Sequence, residues 1–476
     1  LLAINIGGAL QPIFDAGSVA IFIHGIQWLG YTLHFPDWLT VFLAQGLGGG
    51  INTVLPLVPQ IGMMYLFLSF LEDSGYMARA AFVMDRLMQA LGLPGKSFVP
   101  LIVGFGCNVP SVMGARTLDA PRERLMTIMM APFMSCGARL AIFAVFAAAF
   151  FGQNGALAVF SLYVLGIVMA ILTGLMLKYT IMRGEASPFV MELPVYHVPH
   201  IKSLVIQTWQ RLKGFVLRAG KVIVIVSIFL SALNSFSLSG KVVDNINDSA
   251  LASVSRVITP VFKPIGVHED NWQATVGLFT GAMAKEVVVG TLNTLYTAED
   301  IQNEEFNPQE FSLGDELLAA VDETWQGLKD TFSLSVLANP IEASKGDGEM
   351  ETGAMGVMGS KFGSAAAAYS YLIFVLLYIP CISVMGAIAR ESSRGWMMFS
   401  VLWGLNIAYS LSTLYYQTVS FSQHPRYSLV CILAVILFNV VVFGLLRRAR
   451  SRVDVSLLAT RKTPTSCCQS PAGDCH

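Results

Sequence analysis

Charge is what this sequence has least of. Only 13% of its 476 residues are Asp, Glu, Lys or Arg, about half the share carried by a soluble domain. That is too little to cover a globular surface in water. The few charges balance to a net of −1, so there is no basic field to attract nucleic acid. Alternating ten-residue segments are missing, which excludes an outer-membrane barrel. The sequence holds no HExxH, no GxSxG and no CxxC. Gly95–Ser97 reads GKS, but a phosphate-binding loop needs glycine five positions earlier, where Ala90 stands. No nucleotide site is defined.

Apolar residues fill the space that charge leaves. They make up 54% of the chain, and the mean hydropathy is +0.61. Apolar runs lie near 1–14, 16–34, 51–71, 98–113, 124–150, 154–182, 214–237, 272–297, 365–389, 396–418 and 427–446. A run of about 20 residues crosses the hydrocarbon of a bilayer. The fold class is therefore all-α, a polytopic helical membrane protein. The chain opens at Leu1–Leu2 inside an apolar segment, which predicts that a longer protein precedes it.

Several runs are interrupted. The 51–71 run holds Pro56 and Pro59, the 98–113 run holds Gly104, Gly106 and Pro110, and the 272–297 run holds Gly277, Gly281, Lys285 and Glu286. Broken backbone at membrane depth survives only where protein or a water-filled cavity satisfies the freed groups. Such segments in both halves of a chain point to a transporter's binding site. The basic stretch 178–221 and the basic LLRRARSR after the last run both read as cytoplasmic. Five apolar runs separate them, yet two ends on one side need an even number of crossings. One run is thus expected to be a re-entrant pair of half-helices, and 272–297 is the first choice.

The breaks carry thiols. GFGCNVPSVMGAR at Gly104–Arg116 and PCISVMGAIAR at Pro380–Arg390 share SVMGA just after a cysteine. The repeated word predicts related elements in the two halves. Cys136 sits in APFMSCGAR, between Pro132 and Gly137. A buried cysteine is commonly a small apolar filler, but three beside helix breaks are hard to assign to packing alone. A thiol at a helix N-terminus also ionises more easily. Thiolate and thioether ligands suit the softer transition metals. Cys107, Cys136 and Cys381 are therefore candidate ligands, with Met134 beside them, although methionine is more often core.

Intramembrane acids are functional by default because charge there is costly. Glu72 and Glu286 are the candidates, and the structural reading of each is an ion pair, for Glu72 with Arg79. Arg116, Arg139, Arg390 and Glu391 close the cysteine motifs and are expected to anchor at the headgroup level. The tail gathers Cys467, Cys468, Cys475 and His476. It is either a soft-metal capture site or a loose segment prone to adventitious disulfides, and its spacing matches no C-x₂₋₄-C zinc pattern.

Five words, GFGCNVPSVMGART, FLEDSGYMARAAFVMD, PFMSCGARLAIF, GLFTGAMAKEVVVGTL and YIPCISVMGAIARE, stand in this order. Together they closely resemble the bacterial ferrous iron transport protein B family (FeoB), over essentially the whole chain. The resemblance implies a multi-pass protein of the bacterial inner membrane, embedded in lipid, with broken or re-entrant helices and two gate-like repeats around 51–116 and 220–297. It implies Fe²⁺ as the transported substrate. Cys107, Cys136 and Cys381 then fall on the metal path, with Glu72 and Glu286 as its acidic members. It also implies a G domain in cis, using GTP and Mg²⁺, which is missing from this sequence. Small partners FeoA and FeoC are implied too, and a homo-oligomer fits.

The chain itself is then not an enzyme. The alternative is a carrier of another divalent metal or a nucleoside-like substrate on a similar scaffold. The expected organisation is membrane helices over 1–50, a first gate and following helices over 51–182, and a basic linker over 183–213. A second gate region over 214–297, an acidic extramembrane insertion over 298–364, membrane helices over 365–446 and a basic, then Cys-rich tail over 447–476 complete it.

Overall fold

The computed structural model describes residues 10–182, 199–235, 249–297 and 352–449, apart from 35, 37–39, 41, 42, 284 and 286, together with 196, 318, 321, 324 and 325. Glu286, most of the acidic insertion and the tail with Cys467, Cys468, Cys475 and His476 lie outside these residues. The described residues form helices and connections without a strand. Among the described residues, six stretches are long and apolar enough to cross a membrane: Ile13–Thr32, Pro121–Phe150, Gly152–Thr180, Ala365–Glu391, Arg394–Val419 and Pro425–Arg448.

The 98–113 run folds back on itself instead of crossing. Helix α1 (Phe98–Val103) and helix α2 (Asn108–Gly114) are the arms of a hairpin. A Cβ at Gly114 would lie 3.7 Å from Pro100, fourteen residues earlier. In a continuous helix those residues would stand about 20 Å apart at 1.5 Å per residue. The tip is Gly104–Cys107. Pro110 fits because it lies in the first turn of α2, where the backbone N–H has no partner within the helix.

The next span is broken in the middle. Helix α3 (Pro121–Met130) and a 3₁₀ turn (Ala131–Phe133) lead to an extended stretch ending at Cys136, and helix α4 (Gly137–Phe150) follows. Pro132 cannot supply an N–H to continue the ladder. Helix α5 (Gly155–Thr180) then crosses back unbroken.

The second half repeats this plan upside down. Helix α6 (Trp272–Met283) and helix α7 (Val287–Thr297) form a second hairpin. A Cβ at Gly277 would lie 2.9 Å from Leu292, and one at Gly281 would lie 2.7 Å from Val288. At the open end the Tyr296 hydroxyl donates to Asn271 Oδ1 at 2.7 Å. The expected fold-back of 272–297 is therefore present as a hairpin with Lys285 at its tip. A broken span follows, helix α8 (Ala365–Leu377), an interruption at Tyr378–Cys381, and helix α9 (Ile382–Glu391). Helices α10 (Arg394–Val419) and α11 (Pro425–Ala449) are the last of the described elements.

The contacts at the two ends establish the inversion. Glu391 bridges Arg116 and Arg124, and Arg122 Nε donates to the Met182 carbonyl at 2.9 Å. The entry to α3 and the exit of α9 therefore share one end of the molecule. Phe150 and Phe362 meet edge to face at the other end, so α4 ends where α8 begins. One broken span runs opposite to the other.

The SVMGA words do not mark this repeat. One lies on the outgoing arm of the first hairpin, the other on the second half of a broken span. The expectation that they are related elements is corrected: the counterpart of the first hairpin is the second hairpin, and the counterpart of the break at Cys136 is the break at Cys381. The core joins both halves through Phe146, Phe150, Phe362 and Tyr371. Phe362 belongs to the helix Thr352–Phe362, so the last part of the segment read as an extramembrane insertion packs into this core. Helix α11 shows the opposite pattern. Leu437 is 65% and Phe438 57% exposed, an apolar surface of the kind that lipid covers.

Candidate functional site

Both hairpin tips and both helix breaks meet at one cavity of about 80 Å³. Cys107 comes from the first tip, Lys285 from the second, Cys136 from the first break and Cys381 from the second; Gln60 and Met64 of the helix Leu57–Asp73 close one wall. Three cysteines separated by up to 274 positions thus line one space. Each occupies the last non-helical position before a helix and has extended ψ: 133° at Cys107, 165° at Cys136 and 155° at Cys381. The Pro and Gly residues around them are the local cause. They stop one helix, and the thiol stands where the next begins. Among the described residues these thiols form no disulfide, and no three His, Cys, Asp or Glu side chains stand close enough to form a ready-made metal cage.

The first tip is fastened to the first break. The Gly137 amide donates to the Gly106 carbonyl at 3.2 Å, and Asn108 Nδ2 donates to the Met134 carbonyl at 3.2 Å. Arg139 completes the joint. It is fully buried, and its Nη1 donates to the carbonyls of Pro132 and Met134, both at 3.1 Å. Those carbonyls lose their helical partners at the break, and a buried carbonyl left unpaired is costly. The expected headgroup role of Arg139 is therefore corrected. The guanidinium lies in the core and replaces missing backbone donors. Glu391 is clasped between Arg116 and Arg124 with its side chain 6% exposed.

The remaining candidates lie elsewhere. Glu72 pairs with Arg211 at 2.9 Å, not with Arg79, and does not line the cavity. Met134 is buried, with its side chain against Gly104. The thioether on the cavity is that of Met64, whose sulfur would lie 3.4 Å from a Cβ at Gly106. Sequence reading missed Met64, Gln60 and Asn108, because nothing local distinguishes them. A signal for Arg139 was present, since a lone arginine deep in the 124–150 run is too costly to leave unexplained.

The electrostatics are unusual for a cation's surroundings. The N-termini of α4 and α9 face the cavity with the partial positive charge of their free amides. Lys285 is 3% exposed, and its Nζ lies 5.0 Å from the centroid of the Tyr378 ring, at the second break. A metal cation is stable here only against anionic ligands, which thiols provide by releasing protons on metal binding. Beside the cavity, at the end that carries Arg116 and Glu391, lies an open vestibule of about 540 Å³. Val109 and Met113 of α2 face Ile382 and Ser383 of α9 across it, so the two SVMGA helices form its walls.

Inverted hairpins and broken spans around a central cavity define a polytopic membrane protein built on an inverted repeat, with its site at the repeat interface. The comparisons agree. A family model described as a gate for nucleoside recognition matches residues 54–150 and 216–394. A second, described as the C terminus of ferrous iron transport protein B, matches 159–211. The chain is 91% identical over 476 residues to the Fe(2+) transporter FeoB of Salmonella paratyphi A, and 90% identical over 477 residues to that of Escherichia coli strain K12. All of this chain is covered in both, and it spans 62% of each relative's length. No solved structure matches it. The chain belongs to the ferrous iron transport protein B family.

Proposed function

We propose that this chain forms the membrane pathway of a ferrous iron importer in the bacterial inner membrane, and that Fe²⁺ passes through the cavity between the hairpin tips. The observation that carries the reading is the convergence of Cys107, Cys136 and Cys381 on one cavity. The name of the relatives, Fe(2+) transporter, supports the choice of ion. A cavity of about 80 Å³ has room for an ion that keeps a few of its waters, since one water needs about 10–15 Å³ on a comparable measure.

In this reading Fe²⁺ sheds part of its hydration shell and takes thiolate ligands from separate walls. The thiol protons leave as it binds. Because each ligand sits on a different element, the set assembles around the ion and comes apart as those elements move. Binding that is multiple and weak is what conduction requires. Glu286, adjacent in sequence to the second tip, is the proposed carboxylate of the path, and Glu72 with its Arg211 partner lies off it. The basic loops support a cytoplasmic vestibule, and in this reading the described conformation is open toward the exit.

A nucleoside-like cargo is the second reading, favoured by the description of the gate model. The thiol cavity of about 80 Å³ is too small for it, because small-molecule sites run to about 300–1,000 Å³, whereas the vestibule of about 540 Å³ falls within that range. Ligand softness does not separate Fe²⁺ from Mn²⁺, Co²⁺ or Zn²⁺, so competition among these ions belongs in the same assay. The test is Fe²⁺ uptake by the full-length protein carrying Cys107→Ser or Cys381→Ser. Uptake is expected to fall at least tenfold while protein levels hold. Full uptake in both variants would overturn the thiol path, and competition by a nucleoside but by no divalent metal would favour the other cargo.

A further inference from the structure

We propose that Lys285 is a tethered counter-cation, an ammonium that occupies the cavity when no metal is there and is displaced as Fe²⁺ binds. The inference rests on the pathway reading above and adds to it a link between ion occupancy and the position of the second hairpin.

Three observations carry it. Lys285 stands at the turn between α6 and α7, so the ammonium can move only if the hairpin tip or its own long stem moves. Its Nζ is buried and lies against the Tyr378 ring, at the break that carries Cys381. The lysine also lines the same cavity of about 80 Å³ as Cys107, Cys136 and Cys381. A divalent ion placed among those sulfurs would sit within several ångströms of a fixed positive charge, in surroundings that screen poorly. The ammonium and a bound divalent ion therefore repel one another within one space. A lysine in a membrane interior is costly enough to call for such a role.

The repulsion couples occupancy of the cavity to the position of the second tip. With no metal the thiols keep their protons, and the ammonium, docked over the Tyr378 ring, holds the second tip down on the broken span. When Fe²⁺ arrives it takes those ligands, and the repelled ammonium carries the tip away from the Tyr378 ring. Once the ion leaves through the vestibule, the ammonium returns. A purely structural lysine, docked on Tyr378 by cation–π attraction, would stabilise the hairpin without opposing the metal.

Co²⁺ binding separates these roles. The full-length protein in lipid nanodiscs is titrated with Co²⁺, and binding is followed by thiolate-to-cobalt charge-transfer absorption. Lys285→Met is expected to bind Co²⁺ at least tenfold more tightly than the wild type, with Lys285→Arg close to the wild type. Lys285→Gln provides the same reading if the methionine variant does not fold, judged by its melting temperature. Unchanged or weaker affinity in a folded neutral variant overturns the counter-cation. If the wild type shows no absorption that Cys381→Ser removes, the pathway reading fails and this inference falls with it. If that absorption is present but neutral variants bind no tighter, the pathway stands and the lysine's role does not.

Discussion

Arg139 does at the first break what no backbone donor can. Pro132 has no N–H to give, and the extended residues before α4 leave two carbonyls facing the core. One guanidinium nitrogen serves both, and Asn108 adds a second donor to Met134. Arg139→Met keeps the bulk but strips these bonds. It is expected to destabilise the protein by about 1–3 kcal/mol for each carbonyl left unpaired, read as a lower melting temperature in detergent. Asn108→Ala is expected to cost less, because Arg139 still serves Met134. A melting temperature unchanged by Arg139→Met would show that the break is held by other means. The cysteines were legible from sequence because their neighbours Gly104, Gly106, Pro132 and Pro380 announce a break. The arginine was misread because its partners are main-chain carbonyls, which have no signature in sequence.

The two hairpins are where local pattern and long-range packing divide the work. The breaks follow from local chemistry, glycine and proline in one case and the Lys285–Glu286 charges in the other. The sharp reversal of 272–297 was anticipated by counting crossings, but its register depends on contacts across the arms. Gly281 is the tightest point. A Cβ there would approach Tyr378 Oη at 2.5 Å and Val288 at 2.7 Å, so both arms and the second break have to part to admit it. Gly281→Val is expected to cost about 1–3 kcal/mol by overpacking and to abolish uptake by spreading the tip. Wild-type uptake by this variant would mean that the hairpin need not be closed. The first hairpin was harder to foresee, since 98–113 reads equally well as one short apolar crossing. The repeated SVMGA word pointed to the wrong symmetry. It marks two helices that face each other across the vestibule, so the shared word reflects a shared wall.

At the scale of the whole molecule, the inverted repeat explains why the site is central. Each half supplies one hairpin from one end and one broken span, and their four interruptions can coincide only near mid-depth. Fold class was legible from composition, because a chain with 13% charge has to bury its surface in lipid or in itself. The meeting of Cys107, Cys136 and Cys381 was not legible, since it depends on the superposition of four distant elements and no local rule sets their register.

The most direct test of the central claim is anomalous diffraction from crystals of the full-length protein soaked with Fe²⁺ under reducing conditions, recorded at the iron edge. The account predicts a peak inside the cavity bounded by Cys107, Cys136, Cys381 and Lys285, and its loss in Cys381→Ser. A fully occupied iron peak elsewhere in the membrane region, with none among the three thiols, would contradict it.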